Sequence, residues 1–395
     1  MSVGQLFATQ SPADVGLSEE ALRILDANVQ AYIDDGETYG ASIIVSRGGV
    51  IGHRRTYGTV APDRPAADDD LYLAMSMTKS FTAALVLRAI DQGRFTLDTR
   101  IADIVPEYGV WGKQHVTVRQ LLNHTGGAFG TIIPAPPGIT PLDLGDLAKN
   151  VAAWSTQPVA YMPGTRSSYS PLAGIGILGY LLVVTDPAGR SYRDIARDDL
   201  FEPLGMVDTR IGGPLDDPRR VPISYTEKRS VSASSKTAQL LDAAFNEPAE
   251  IPAGNAYTTI DDVFRFVELM RKRGNNGTVR LVSQALFDYA AQNHTGDLSN
   301  GAWEHEREAR GLPVFPANFS LLGGYVRGSG HYPTGAGFTA SPGTIYALGG
   351  GSTMWMVDPA RDLTVTFLSA GFIDGLAHLE RACRINDFAL AACVD

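Results

Sequence analysis

A serine and a lysine stand three residues apart at the start of an apolar, helix-forming stretch. Ser76 and Lys79 lie in residues 73–82, and the apolar pattern continues to Gly93. Because positions i and i+3 share one face of a helix, we expect the hydroxyl and the amine side by side. A neutral lysine within hydrogen-bond reach can take the serine proton and so create a nucleophile. The unpaired N–H groups at the helix start would favour an oxyanion there.

The tetrapeptide S-x-x-K alone does not define a function. Short patterns of this kind arise often by chance, and on most helices they are a cap serine followed by a solvated lysine. The interpretation of Ser76 as a nucleophile therefore depends on the rest of the chain.

The composition indicates a folded protein with a large core. The chain has 395 residues, of which 44% are hydrophobic and 19% charged, which suits one large domain or two joined ones. The net charge of −10 and the lack of a Lys/Arg cluster argue against nucleic acid as a partner. No apolar run approaches the ~18 residues of a membrane span, and residues 1–5 do not resemble a signal peptide. We therefore expect a cytoplasmic protein without a membrane partner.

No metal or other cofactor is expected. The seven histidines include no H-x-H or H-x-x-x-H pair, the spacing that would suggest a metal site. Cys383 and Cys393 stand ten residues apart in one helical pattern, which excludes a disulfide within that helix. Both cysteines are expected to be free.

Strand and helix patterns predict a mixed fold. A helix capped by Ser18 and a hairpin over residues 40–54 come first, and helices dominate the middle of the chain. Residues 211–250 are expected to be loop-like. Three strands and a closing helix end the chain, at residues 344–347, 354–357, 363–368 and 376–392.

The tight turns between consecutive strands predict an antiparallel sheet that joins the two ends of the chain. We expect residues 1–74 and 225–395 to form this sheet domain and residues 75–224 a mainly helical domain. An active site would then lie in the cleft between them.

Five motifs in order carry a resemblance to a known superfamily. The chain resembles the serine β-lactamase-like superfamily, in particular the branch of class C β-lactamases, D-aminopeptidases and family VIII carboxylesterases. This resemblance covers nearly the whole chain and implies an antiparallel sheet flanked by helices, plus a mostly helical lobe, with the active site between them. The motifs are Ser-Met-Thr-Lys at 76–79, Leu-Leu-Asn-His-Thr-Gly-Gly at 121–127, Pro-Gly-Thr leading to Tyr-Ser at 163–170, Leu-Gly-Met at 204–206 and Met-Val-Asp-Pro at 356–359.

The resemblance implies a mechanism through an acyl-enzyme. Ser76 would attack an acyl carbonyl, while Lys79 and Tyr169 share the work of the general base. An ammonium beside the tyrosine would lower its pKa from the usual value of about 10. The oxyanion would rest on the backbone N–H of Ser76 and on one from the strand of the third motif. The glycines at that place are Gly349, Gly350 and Gly351.

Two departures from the family pattern affect the expected substrate. Pro171 stands where the resembling β-lactamases and peptidases carry an asparagine that binds a substrate amide. Leu348 stands where they carry the lysine or histidine of the third motif, so a cationic head for a substrate carboxylate is missing. Both changes disfavour β-lactams and peptides, and esterases of this family tolerate them.

Several other side chains receive an interpretation of their own. His124, at the end of a motif, is expected to hydrogen-bond the turn. Lys236 precedes a threonine and imitates the third motif, but it lies far from the expected strand and is interpreted as a solvated lysine. The candidates to line an acyl pocket are Trp111, Trp303, His331 and Tyr332.

The leading hypothesis is a serine hydrolase that acts on small-molecule carboxylic esters through an acyl-enzyme on Ser76. An acyltransferase or transamidase would pass the same acyl group to an alcohol or amine. A β-lactamase or D-aminopeptidase acting on an amide is disfavoured by Pro171 and Leu348. A binding module that lost its chemistry is a fourth hypothesis, which the presence of Ser76, Lys79 and Tyr169 disfavours. The sequence leaves the oligomeric state open.

Overall fold

An antiparallel sheet of seven strands forms the centre of the fold. The computed structural model describes residues 7–128, 138–226, 235–350, 353–373 and 375–394. The strands in these residues are β1 (Gly40–Arg47), β2 (Val50–Ala61), β3 (Arg64–Pro65), β4 (Tyr72–Leu73), β5 (Arg210–Ile211), β6 (Ala256–Thr258), β7 (Tyr325–Val326), β8 (Ile345–Gly349), β9 (Thr353–Asp358) and β10 (Leu363–Ala370).

The central sheet joins the two ends of the chain, as the sequence predicted. Its strand order is β3-β2-β1-β10-β9-β8-β7. Strands β1 and β10 run antiparallel, with Gly40 opposite Ala370 and Arg47 opposite Leu363. Strands β4, β6 and β5 form a second, three-stranded sheet. Since this small sheet takes strands from both predicted domains, the division of the chain into two domains stays a prediction.

Helices surround the sheet, and several begin at side-chain caps. The Ser18 hydroxyl accepts the Ala21 N–H at 3.3 Å, and Thr117 forms a capping box with Gln120. The helices in the described residues are α1 (Glu19–Asp34), α2 (Thr78–Asp91), α3 (Val118–Leu122), α4 (Leu147–Ser155), α5 (Ala173–Val184), α6 (Tyr192–Ala196), α7 (Glu202–Leu204), α8 (Ser235–Ala244), α9 (Ile260–Arg271), α10 (Gln284–Ala290), α11 (Glu304–Ala309) and α12 (Gly375–Ala391).

The two faces of the central sheet pack against different helices. Helices α1 and α12 cover one face, where Val29 and Ile385 join one core with Val365. Helices α2 and α9 cover the other face, where Phe266 of α9 contacts both Phe81 of α2 and Trp355 of β9 edge to face. Because α2 is buried on nearly all sides, its first turn is held inside the protein rather than at the surface.

Some expectations about the chain need correction or comment. The expected loop over residues 211–250 is wrong in part, because α8 lies within it; the Lys236 backbone belongs to this helix. Helix α8 begins with polar residues, so the sequence gives no clear helical pattern of apolar residues at its start. Cys383 and Cys393 are not joined in a disulfide, and Cys393 lies beyond the end of α12. In the part of the chain described here, no helix has the length and apolar character to cross a bilayer.

We expect Gly323→Ala to destabilise the fold much more than Gly93→Ala. Both glycines have φ +74°, so alanine at either one costs roughly 1–2 kcal/mol in the left-handed region. A Cβ at residue 323 would also lie 2.5 Å from the carbonyl carbon of Lys79, whereas a Cβ at residue 93 would meet nothing within 4 Å. Urea unfolding should show an additional loss of at least ~2 kcal/mol for Gly323→Ala. Equal losses in the two variants would contradict this close approach.

Candidate active site

Ser76 lies in a tight turn between the sheet and the start of helix α2. The turn is a short 3-10 helix, Met75–Met77, that leads directly into α2. Met75 has φ +47°, a left-handed conformation that is strained for a residue with a side chain. Such strain persists only where the surrounding structure imposes it. The backbone next to the serine hydroxyl is therefore held in place by its neighbours.

Strands β8 and β9 supply those neighbours. A side chain on Gly349 would overlap the carbonyl oxygen of Ala74, so the last residue of β8 must be small to lie against the turn. The Thr353 hydroxyl donates a hydrogen bond to the same oxygen at 2.9 Å. These contacts place the end of β8 beside Ser76, where the third motif was expected.

Lys79 lies next to Ser76 and is buried. Its Nζ is 3.2 Å from Ser76 Oγ and donates to the backbone oxygens of Pro171 and Ala253, each at 2.7 Å. A neutral amine has two hydrogens and one lone pair. Since the two carbonyls can accept both hydrogens, the lone pair remains available for the proton of Ser76.

Burial determines the protonation state of this lysine. The side chain is 1% exposed, and burial lowers the pKa of Lys79 to about 7. Desolvation disfavours the ammonium form, and no acidic side chain in the described residues offsets it. A substantial fraction of Lys79 is therefore neutral near pH 7, which a general base requires.

Tyr169 also contacts this group, but the expected direction of its pKa is wrong. Its ring centroid lies 5.0 Å from Lys79 Nζ, and it forms a hydrogen bond with Ser76. Burial raises the pKa of Tyr169 above its ordinary value, although the Ser76 hydrogen bond lowers it in part. Desolvation of the buried tyrosine outweighs any stabilisation of its phenolate by a Lys79 ammonium. Tyr169 therefore enters the site as a protonated phenol.

His124 holds the segment that carries Tyr169. Its Nδ1 accepts the Ser170 N–H at 3.1 Å, and its ring packs 4.8 Å from the Tyr169 ring. Burial, and then the charge of Lys79, lower the pKa of His124 to about 3, so the imidazole is neutral. On the other side, Asn300 Oδ1 accepts the Tyr169 N–H at 2.9 Å. His124 thus hydrogen-bonds the motif segment, in line with its expected structural role.

Ser76 and Tyr169 line a cleft of about 230 Å³, whose other walls are mostly aromatic and aliphatic. Its described lining residues include no lysine, arginine, aspartate or glutamate. They are Met75, Ser76, Tyr169, Tyr225, Trp303, Tyr325, Leu348, Gly350, Ile373, Gly375 and His378.

The structure brings some of the predicted pocket residues to this cleft and leaves others elsewhere. Trp303 lines it, but the other three candidates do not. Trp111 is 65% exposed, and its carbonyl accepts the Val159 N–H. His331 is exposed, and Tyr332 stacks on Phe315 instead. Sequence alone could not separate these cases, because an aromatic residue in a loop looks the same on either side of a cleft.

The third motif is described only in part. Leu348 and Gly350 line the cleft and Gly349 packs against the serine turn. Gly351 lies outside the described residues.

Several groups at the site were not predicted, among them Ala253, His378 and the cleft-lining Tyr225, Tyr325 and Ile373. Ala253 contributes only a backbone oxygen to Lys79, so its sequence carries no signal. His378 lines the cleft from α12. The sequence did offer a signal for His378, because it is the only polar residue among the apolar residues 376–379 at the start of the helix.

The chain matches a known protein family along most of its length. The family model described as Beta-lactamase matches residues 25–388. Esterase EstB of Burkholderia gladioli is 27% identical over 382 residues, which cover 89% of this chain and 91% of that protein. Penicillin-binding protein 4 of Amycolatopsis lactamdurans is 27% identical over 307 residues, which cover 75% and 76%.

The fold is also similar to that of solved structures. EstCE1, described as a hydrolase with promiscuous acyltransferase activity, superposes with a TM-score of 0.74 and 19% identity. The match covers 93% of this chain and 98% of that one. At this identity the similarity concerns the fold alone.

The rate at which a fluorophosphonate labels Ser76 should depend on pH through Lys79. Only the neutral amine accepts a proton, so the second-order rate constant should rise about tenfold per pH unit below pH 7 and level off above it. Intact-mass kinetics from pH 5 to 9 would measure this, with Ser76→Ala as the unlabelled control. A rate that keeps rising to pH 10 or beyond would identify the Tyr169 phenolate as the base instead.

His124→Phe should disturb the site more than His124→Asn. Phenylalanine fills the space but leaves the buried Ser170 N–H unpaired, at a cost of about 1–3 kcal/mol. Asparagine retains an acceptor near Nδ1 and tolerates the left-handed φ of +58°. We expect slower labelling and a lower free energy of unfolding for His124→Phe than for His124→Asn. Equal behaviour of the two variants would show that the hydrogen bond does not position Tyr169.

Proposed function

The chain belongs to the beta-lactamase family and is a serine hydrolase, and we propose that it cleaves carboxylic esters through an acyl-enzyme on Ser76. The proposal rests above all on one observation. The nucleophile and Tyr169 line a cleft whose described lining is uncharged and mostly aromatic and aliphatic. A neutral ester fits such a surface, because a charged substrate would lose its hydration there without gaining an ionic partner.

In the proposed acylation, neutral Lys79 takes the proton of Ser76 and the serine oxygen attacks the ester carbonyl carbon. The developing oxyanion is stabilised by the backbone N–H of Ser76 and by a second N–H at the end of β8. The protonated phenol of Tyr169 donates a proton to the departing alkoxide. The proton held by Lys79 then replaces it, so the alcohol leaves as a neutral molecule.

In the proposed deacylation, a water molecule takes the place of the alcohol. Neutral Lys79, assisted by Tyr169, removes a proton from this water, and the resulting hydroxide attacks the acyl carbon. The ester bond to Ser76 breaks, and the serine oxygen regains a proton from the same base. The products are a carboxylic acid and the original enzyme.

The departures from the family pattern support ester over amide chemistry. Pro171 offers its backbone oxygen to Lys79, and its side chain has no donor or acceptor for a substrate amide. Leu348 contributes an apolar side chain to the cleft where a carboxylate-binding cation would otherwise stand. A β-lactam or a D-amino-acid peptide would therefore lack two of its expected contacts.

Acyl transfer to an alcohol or amine is the second candidate function. The apolar lining of the cleft favours it, because such a surface binds an organic acceptor better than water. The structural neighbour EstCE1 is described as having promiscuous acyltransferase activity. Both functions share the same acyl-enzyme and differ only in what attacks it.

Purified protein should hydrolyse p-nitrophenyl acetate and butyrate, and Ser76→Ala should lower kcat by on the order of 10³-fold or more because the nucleophile is lost. Nitrocefin should be turned over poorly by comparison. A brief exposure to a fluorophosphonate should add a single adduct in intact-mass spectra. Faster p-nitrophenol release on addition of alcohols would favour the transferase.

Ser80→Ala is the matched control for this experiment. Ser80 lies in the first turn of α2, four residues after Ser76; it is 1% exposed, and in the described residues its hydroxyl has no hydrogen-bond partner. Its removal should leave turnover and labelling close to those of the wild type. Ester turnover that survives Ser76→Ala would refute the catalytic assignment and revive the hypothesis of a binding module.

A further inference from the structure

Asn300 joins the segment that carries Tyr169 to the turn that carries Trp303. Both of these aromatic residues line the cleft, although they lie far apart in the chain. Asn300 is 4% exposed and immediately precedes the short 3-10 helix Gly301–Trp303. The proposed mechanism gives this buried polar side chain no role.

One oxygen atom of Asn300 connects the two segments. Its Oδ1 accepts the Tyr169 N–H at 2.9 Å and the Ala302 N–H at 3.2 Å. The main chains of the two segments are also joined, because the Gly301 N–H donates to the Ser167 oxygen at 2.9 Å. The bond from Ala302 and this backbone bond together hold the amide in place beside Tyr169.

The amide of Asn300 is used only as an acceptor. A backbone N–H can only donate, so the side-chain atom that faces Tyr169 and Ala302 must be the oxygen. The Nδ2 of the same amide is buried and has no hydrogen-bond partner in the described residues. A buried donor without a partner is unfavourable. The favourable contribution of this amide therefore comes from its oxygen, and a carboxylate could take its place.

Tyr169 is held from two sides through successive backbone N–H groups. Asn300 accepts the N–H of Tyr169, and His124 accepts that of Ser170. The tyrosine side chain forms a hydrogen bond with Ser76. Because only two rotatable bonds separate a tyrosine ring from its main chain, the position of the hydroxyl depends directly on the position of that main chain.

We propose that Asn300 is a positioning residue, whose side-chain oxygen holds the Tyr169 phenol where it can give its proton to the departing alkoxide. This inference rests on the proposed ester hydrolysis, in which Tyr169 is the proton donor. Asn300 is not among the described residues that line the cleft, so it acts through Tyr169 rather than on the substrate. Loss of its oxygen would leave the Tyr169 N–H without an acceptor and allow the main chain to shift.

The dependence of acylation on the leaving group tests this role. A p-nitrophenolate leaves readily without a proton, whereas an ethoxide needs one from Tyr169. The readout is the ratio of kcat/KM for p-nitrophenyl butyrate to kcat/KM for ethyl butyrate, measured by absorbance and by pH-stat. Asn300→Leu keeps a similar volume and removes the acceptor, whereas Asn300→Asp keeps the acceptor and removes only the unpaired donor.

We expect Asn300→Leu to raise this ratio about tenfold, which is part of the roughly 10²–10⁴-fold that general acid–base catalysis contributes. Asn300→Asp should keep the wild-type ratio, because both N–H groups still have an acceptor. A charge on the new aspartate would change the protonation of Lys79 for both esters alike, so the ratio cancels that effect.

Asn150→Leu is the matched control for a loss of stability. Asn150 is 1% exposed and is not among the residues that line the cleft, and its Nδ2 donates to the backbone oxygens of Asp143 and Asp146, each at 2.7 Å. Its replacement should lower the melting temperature and leave the ratio unchanged. If Asn300→Leu does not fold, Asn300→Ser replaces it, because the shorter serine side chain cannot reach both N–H groups.

A wild-type ratio in the variant that lacks the acceptor would overturn the inference, as would an equal rise of the ratio in Asn300→Asp or in Asn150→Leu. If the wild type hydrolyses neither ester, the proposed function fails instead. Fluorophosphonate labelling of Ser76 then tests Asn300 without turnover, since a displaced Tyr169 would lose its hydrogen bond to Ser76 and labelling would be slower. Equal labelling rates in the wild type and Asn300→Leu would overturn the role of Asn300 separately.

Discussion

The burial of one amine is the constraint on which the rest of the site depends. Lys79 is 1% exposed, and the described residues provide no carboxylate beside it. A charged ammonium in this place would be costly, so the lysine is driven toward its neutral form. The burial that disfavours the ammonium leaves part of Lys79 neutral, and so able to accept a proton, near pH 7. If the Lys79 side chain were exposed to solvent, the cost of its ammonium form would disappear, and the amine would no longer be neutral near pH 7.

The backbone around helix α2 maintains that burial. The segment before β6 contacts three successive places along the first turns of the helix. Ala256 donates its N–H to the Thr78 hydroxyl at 3.1 Å, the Ala253 oxygen accepts from Lys79, and the Pro252 oxygen accepts from the Thr82 hydroxyl. Since the amine itself donates to two backbone oxygens, those of Ala253 and Pro171, its position depends on main-chain geometry more than on neighbouring side chains. Stability and reactivity therefore share the same hydrogen bonds.

Features encoded by neighbouring residues could be predicted from the sequence. Features that depend on contacts between distant parts of the chain could not. The cap at Ser18, the hairpin of β1 and β2 and the spacing of Ser76 and Lys79 are each encoded within a few residues, and the structure contains all of them. The direction of the Tyr169 pKa depends on burial by segments distant in the chain, including His124 and Phe319. The spacing of residues within one motif cannot predict burial by segments that are distant in the chain. For the same reason, sequence could not place Trp303 in the cleft and Trp111 outside it.

Pro171 departs from the family pattern in its side chain but keeps the backbone contact that holds Lys79. Any residue at this position has a backbone oxygen to offer Lys79, so replacing asparagine by proline leaves that contact in place. What a proline cannot offer at this position is a side-chain donor or acceptor. The same separation holds at the end of β8. Gly349 packs against the serine turn, whereas the side chain of Leu348 lines the cleft. Backbone oxygens thus hold the Lys79 amine, so the side chains at positions 171 and 348 can differ without loss of these contacts.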